Sequence, residues 1–185
     1  MKAIAVYCGA NAGSSPMYAE AARAMGRALA AHDIELVFGG GHVGLMGTIA
    51  DEVLRVGGRA TGVIPQQLVD RELAHPGLTR LFVVKDMHER KAMMAQLSDG
   101  FIAMPGGMGT LEELFEMLTW SQLGIHTKPI GVLNVAGFYD QLVGFLGHAH
   151  NEAFIRPEHA GLMMVEANPE ALLRRLLGPR KVLNS

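Results

Sequence analysis

Residues 100–118, GFIAMPGGMGTLEELFEML, change character twice. An apolar run at 100–104 meets Pro105, and Gly106, Gly107 and Gly109 follow. Leu111, Leu114, Phe115 and Leu118 then recur at helical spacing. Strand, glycine turn and helix form the unit of a parallel sheet, because each parallel strand needs a crossover to reach the next.

The same alternation runs outwards in both directions. Strands are expected at 2–8, 34–38, 59–64, 79–84, 100–104, 130–135 and 161–166, and helices at 16–32, 44–56, 87–98, 110–123, 138–150 and 169–177. Several strand runs are apolar on both alternations, as strands covered on both faces must be. Ser15-Pro16 and Asn168-Pro169 each read as an N-cap followed by proline at the first helical position. The pattern predicts an α/β protein: a doubly wound, Rossmann-like parallel sheet with helices on both faces, one domain over residues 1–185. The longest irregular stretch, 65–78 (PQQLVDRELAHPGL), is long enough to be a lid or one wall of a site.

Composition narrows the function. The 185 residues are 49% hydrophobic and 18% charged, which suits one well-filled core. A net charge of −2 without a long Lys/Arg run argues against nucleic acid as a partner. Cys8 is the only cysteine, so no internal disulfide forms, in keeping with a reducing cytosol. No apolar stretch approaches the ~20 residues of a membrane helix, and the opening strand meets Gly9 before a signal-peptide core could form. The expectation is a soluble, cytoplasmic protein without membrane contact. His148 and His150 lack the further ligands of a metal site.

Two glycine loops fall at the carboxyl ends of strands, where ligands of such sheets sit. In FGGGHVGLMG, 38–47, Gly39, Gly41 and Gly44 match G-x-G-x-x-G. The next strand, however, ends Val63-Ile64-Pro65-Gln66, without the acid that would hold an adenosine ribose. A nicotinamide dinucleotide is thereby disfavoured. Close helix–sheet packing and the approach of a smaller ligand both remain.

The second loop lies in the opening stretch. Gly106, Gly107 and Gly109 can take positive φ and bring backbone N–H groups close to a ligand, with Thr110 opening the helix. No Gly-Lys-Ser/Thr follows, so it is not a Walker loop. A helix amino end with the Thr110 hydroxyl beside it suits one phosphate. Thr110-x-x-Glu113 also has the spacing of a capping box, in which Glu113 merely reaches back to its own helix. Alternatively, Glu113 faces another part of the same ligand, separated from the phosphate by something as long as a ribose. The helix dipole is expected to keep it ionised. Arg90 and Lys91, early in helix 87–98, are either a solvated face or an anion clamp.

PGGMGTLEE (105–113), MHERKAMM (87–94), GGGHVGLMG (39–47) and LTWSQLGIHTKPIGVLN (118–134) together strongly resemble the LOG family, in matching order from about Ala3 to about Tyr139. These are cytokinin riboside 5′-monophosphate phosphoribohydrolases, long labelled lysine decarboxylases; a chain this short lacks room for a pyridoxal-phosphate decarboxylase. The resemblance implies a Rossmann-like homodimer that splits an adenine or N6-prenyladenine nucleoside 5′-monophosphate into free base and ribose 5-phosphate, without metal or cofactor. It implies Arg90 and Glu113 as the catalytic pair and Gly107, Met108, Gly109 and Thr110 as the phosphate cradle. Lys91, Leu111 and Glu112 would lie beside them, with Glu72 and Thr119 as further substrate contacts. Family members often carry serines after the first Cys-Gly; here Ala10-Asn11 follows, which leaves the roles of Asn11, Ser14 and Ser15 open. Molybdenum-cofactor carriers resemble the same fold and hold a pterin phosphate on a PGGxGT-type loop. A non-catalytic carrier is therefore the alternative, and it needs no matched Arg90–Glu113 pair.

Overall fold

The computed structural model describes residues 1–71 and 73–178. Its strands are β1 (Ala3–Tyr7), β2 (Glu35–Phe38), β3 (Ala60–Pro65), β4 (Arg80–Val84), β5 (Gly100–Ala103), β6 (Ile130–Leu133) and β7 (Met163–Glu166). They form one sheet in the order β4-β3-β2-β1-β5-β6-β7, with every neighbouring pair parallel. The helices are α1 (Pro16–Ala31), α2 (Gly44–Arg55), α3 (Gln66–Val69), α4 (Met87–Leu97), α5 (Met108–Gln122), α6 (Asp140–Asn151) and α7 (Pro169–Leu177). Among the described residues no helix is long and apolar enough to cross a membrane.

The period-2 geometry of a strand explains how one sequence covers two cores. Along β1, Ile4 and Val6 point into a core completed by α1, α2 and α7, with Leu29, Ile49 and Leu172. Ala3, Ala5 and Tyr7 point the other way, against Met94 of α4 and Leu114 and Met117 of α5. Ser15, Asp86 and Asn168 cap α1, α4 and α7 through their side chains.

The site is set by topology. From β1 the chain winds to one edge, returns, and winds to the other from β5, so β1 and β5 flank the switch point. Their register pairs Tyr7 with Ala103, which brings both carboxyl ends level. Gly9 N–H then donates to Pro105 O at 3.0 Å.

Several boundaries differ from expectation. α5 starts at Met108, two residues early, and α6 starts at Asp140 after a 3-10 turn, Val135–Gly137. The 65–78 stretch contains α3 and is strapped down: Ala74 bridges Gly41, and His75 N–H donates to Gly40 O at 2.8 Å. The His75 ring adds a contact to Asp51 at 3.0 Å.

Tyr139 holds the end of β5, its buried hydroxyl donating to Met104 O at 2.6 Å. Tyr139→Phe leaves that carbonyl without its donor and should cost about 1–3 kcal/mol. Urea unfolding should show a lower midpoint at unchanged slope; an unchanged midpoint would mean that the bond contributes nothing.

Candidate active site

A cavity of about 470 Å³ opens at the switch point, between the loop after β1 (Gly9 to Gly13) and the turn from β5 into α5. Arg90, Thr110, Glu112 and Glu113 line it, as do Gly107 and Gly109.

Its anion-attracting end is the start of α5. Gly107 is the N-cap and supplies no side-chain bond. The first internal bond runs from Leu111 N–H to Gly107 O, 3.1 Å, so the N–H groups of Met108, Gly109 and Thr110 have no partner within the helix. Thr110 is therefore the third helical residue and not the cap. The capping-box reading of Glu113 fails on that geometry.

The glycines serve by lacking bulk and do not use their freedom to take positive φ: none of Gly106, Gly107 and Gly109 is left-handed. A Cβ on Gly106 would lie 2.1 Å from Thr110 Oγ1 and 2.9 Å from Gly9 N, so glycine lets the two loops and α5 meet. Cβ atoms on Gly107 and Gly109 would meet nothing and would occupy the space beside the free N–H groups. Met108 projects outwards, 85% exposed.

The first glycine loop turns out to seat an arginine. Arg90 Nη2 donates to Gly39 O at 3.2 Å, and a Cβ on Gly39 would stand only 1.6 Å from that nitrogen. Close approach of the α2 start to the loop after β1 accounts for Gly44, where φ is 60° and a Cβ would strike the Ala10 carbonyl at 2.3 Å. Arg90 is 7% exposed, yet its Nε has no partner. Burial lowers its pKa and the nearby Glu113 charge opposes that; the guanidinium stays protonated.

Glu113 sits one turn into α5 and is partly buried. Burial raises its pKa to about 7; Arg90 and Lys91 pull it down, while Glu112 and Glu116 add to the rise. This corrects the expectation of a fully ionised carboxylate. The dipole fades within the first turn, and desolvation wins beyond it. Arg90 and Glu113 act on each other through space, without a direct ion pair.

Other expected residues fall elsewhere. Lys91 does not line the cavity, and its ammonium bridges Glu112 and Glu116 of α5. Leu111 and Thr119 do not line the cavity, and Thr119 Oγ1 donates back to Phe115 O at 2.7 Å. Glu72 lies outside the described residues. Asn11 does line the cavity, whereas Ser15 is consumed as a cap. The sequence reading missed Tyr18 and Phe138, which meet edge-to-face at 5.8 Å in the wall. They lie on α1 and after β6, and only the strand order brings them together.

A Rossmann-like sheet with an uncapped helix end, a buried arginine and a partly buried carboxylate around its switch point has the chemistry that suits a small anionic ligand. The chain belongs to the LOG family: residues 46–176 match the family model described as "Possible lysine decarboxylase". A cytokinin riboside 5′-monophosphate phosphoribohydrolase of Rhodococcoides fascians is 47% identical over 179 residues, covering 96% of this chain and 90% of that one. One from Arabidopsis thaliana is 47% identical over 175 residues, covering 95% and 81%. Among solved structures, the molybdenum cofactor binding protein of Rippkaea orientalis matches with a TM-score of 0.72 at 22% identity, covering 96% of this chain and 98% of that one. The molybdenum cofactor carrier protein of Chlamydomonas reinhardtii also scores 0.72 at 22% identity, covering 95% and 98%. At that identity these two share the fold alone.

Gly39→Ala tests the arginine seat. The added methyl must displace the guanidinium, so turnover should fall by roughly 10² while the fold persists. Kinetics and circular dichroism together check it; wild-type turnover would show that the seat is not needed.

Proposed function

We propose that the protein hydrolyses the N-glycosidic bond of purine nucleoside 5′-monophosphates, AMP or its N6-prenylated analogues, to free base and ribose 5-phosphate. One observation carries the reading: a carboxylate with a pKa of about 7 sits one helical turn beyond the free N–H groups of α5. That is the spacing at which a ribose joins a phosphate to an anomeric carbon. The names of the relatives from Rhodococcoides fascians and Arabidopsis thaliana support the same reaction and the nucleotide class.

The phosphate binds at Gly107, Gly109 and Thr110 and does not react; it aligns the sugar. Cleavage of C1′–N9 builds positive charge on the ribose, as in glycoside hydrolysis. Ionised Glu113 stabilises that charge more in the transition state than in the nucleotide, and only such a difference accelerates the step. The same carboxylate takes a proton from the attacking water, whose oxygen joins C1′ as the C1′–N9 bond breaks. The departing base takes a proton from solvent and Glu113 returns its own to solvent, so that one water is consumed in all. Buried Arg90 holds the field around Glu113. Oriented charges of this kind are each worth ~3 kcal/mol.

In this reading the whole chain is one cytoplasmic nucleotide-binding domain acting as a homodimer. The exposed apolar side chains of Leu123, Ile125, Phe145 and Phe154 support self-association.

Incubation with AMP should release adenine and ribose 5-phosphate, detected chromatographically, with adenosine a far poorer substrate. Equal rates for the two would remove the phosphate from the account, and nucleotide held without turnover would instead indicate a carrier. Because the ionised carboxylate is the active form, kcat/KM should rise with pH through about 7. That lies above the phosphate's own second ionisation near ~6. A flat profile from acid to neutral pH would assign the base role elsewhere.

A further inference from the structure

Arg90 and Lys91 are adjacent on α4, and about 100° of helical rotation separates them. Arg90 reaches the cavity and Gly39. Lys91, 7% exposed, crosses to α5, where its ammonium meets Glu112 and, at 3.1 Å, Glu116. These carboxylates are one turn apart on the same face of α5, with Glu113 between them in sequence.

We propose that Lys91 is a positioning residue: by bridging Glu112 and Glu116 across the α4–α5 seam, it fixes the spacing of Arg90 and Glu113. The proposal rests on the hydrolytic reading above and assigns Lys91 no contact with substrate.

The charges explain why the bridge matters. Glu113 faces Arg90 and Lys91 from α4, Glu112 and Glu116 on its own helix, and the Tyr7 and Cys8 side chains from β1 and the loop after it. Two cations favour its ionised form, and two carboxylates oppose it. Glu116 Oε2 is buried without a partner, so its charge is poorly screened. Burial alone would lower the Lys91 pKa, but Glu112 and Glu116 hold it above its ordinary value, so the ammonium persists. Removing it deletes a favourable charge and frees two unfavourable ones. Both changes push the Glu113 pKa up. The two helices also lose their tether, and small misplacements of reacting groups cost large factors in rate.

The test uses Lys91→Met and Lys91→Arg with AMP as substrate. Lys91→Met should lower kcat roughly 10-fold or more with little change in KM, and move the acid limb of the rate profile to higher pH. Lys91→Arg keeps the charge and should restore both towards wild type. A raised KM at unchanged kcat and unchanged limb would overturn the proposal and make Lys91 a substrate contact. Carboxyl ¹³C NMR of Glu113 reads the same effect without turnover. Its midpoint should rise by about one unit in Lys91→Met and return in Lys91→Arg. An unshifted midpoint overturns the proposal even if no nucleotide is hydrolysed, whereas a shifted midpoint without turnover in wild type would remove the hydrolytic reading alone.

Discussion

The free amino end of α5 is the feature on which the site depends. Ser15, Asp86 and Asn168 seal three other helices, but Gly107 leaves α5 open. Its N–H groups face a cavity that a capping side chain would partly fill. Gly106 makes the arrangement compact by letting Gly9 and Thr110 approach where any Cβ would collide. On the proposed function, an anion supplied from outside completes the hydrogen bonding that the sequence withholds.

Phosphate and carboxylate can share this cavity because their electrostatic surroundings differ within one helical turn. At the first turn the dipole and the free donors favour negative charge. At Glu113 burial opposes it, and the carboxyl titrates near 7, where it can both carry charge and accept a proton. Arg90 comes from a different helix and is held over Gly39, so the cation and the carboxylate are fixed by separate elements. The distance between them is then a property of how α4 packs against α5, which is why the Lys91 bridge across that seam bears on the chemistry in the cavity.

Local patterning made most of the fold legible. The strand runs and the two Ser/Asn-Pro starts were readable because period, capping residue and proline act within a few positions. The strap of the 65–78 stretch onto Gly40 and Gly41 was not, since it joins residues far apart in sequence. The site divides in the same way. The glycine turn and Glu113 lie within one short motif and were read together. Gly39 as the seat of Arg90, and Lys91 as a partner of Glu112 and Glu116, depend on strand order and helix packing that no local pattern encodes. Thr110 reads as the cap because Thr-x-x-Glu fits a capping box, whereas Gly107, three residues earlier, is the N-cap and the helix begins at Met108.

The central claim is spatial: α5 holds a nucleotide by its phosphate and presents residue 113 to the sugar. A crystal structure of Glu113→Gln with AMP bound tests it most directly. The account predicts phosphate oxygens within hydrogen-bond reach of the N–H groups of residues 108–110, and C1′ beside the carboxamide of residue 113. A phosphate bound away from α5, or a residue 113 side chain folded back on its own helix while the ribose lies elsewhere, would contradict it.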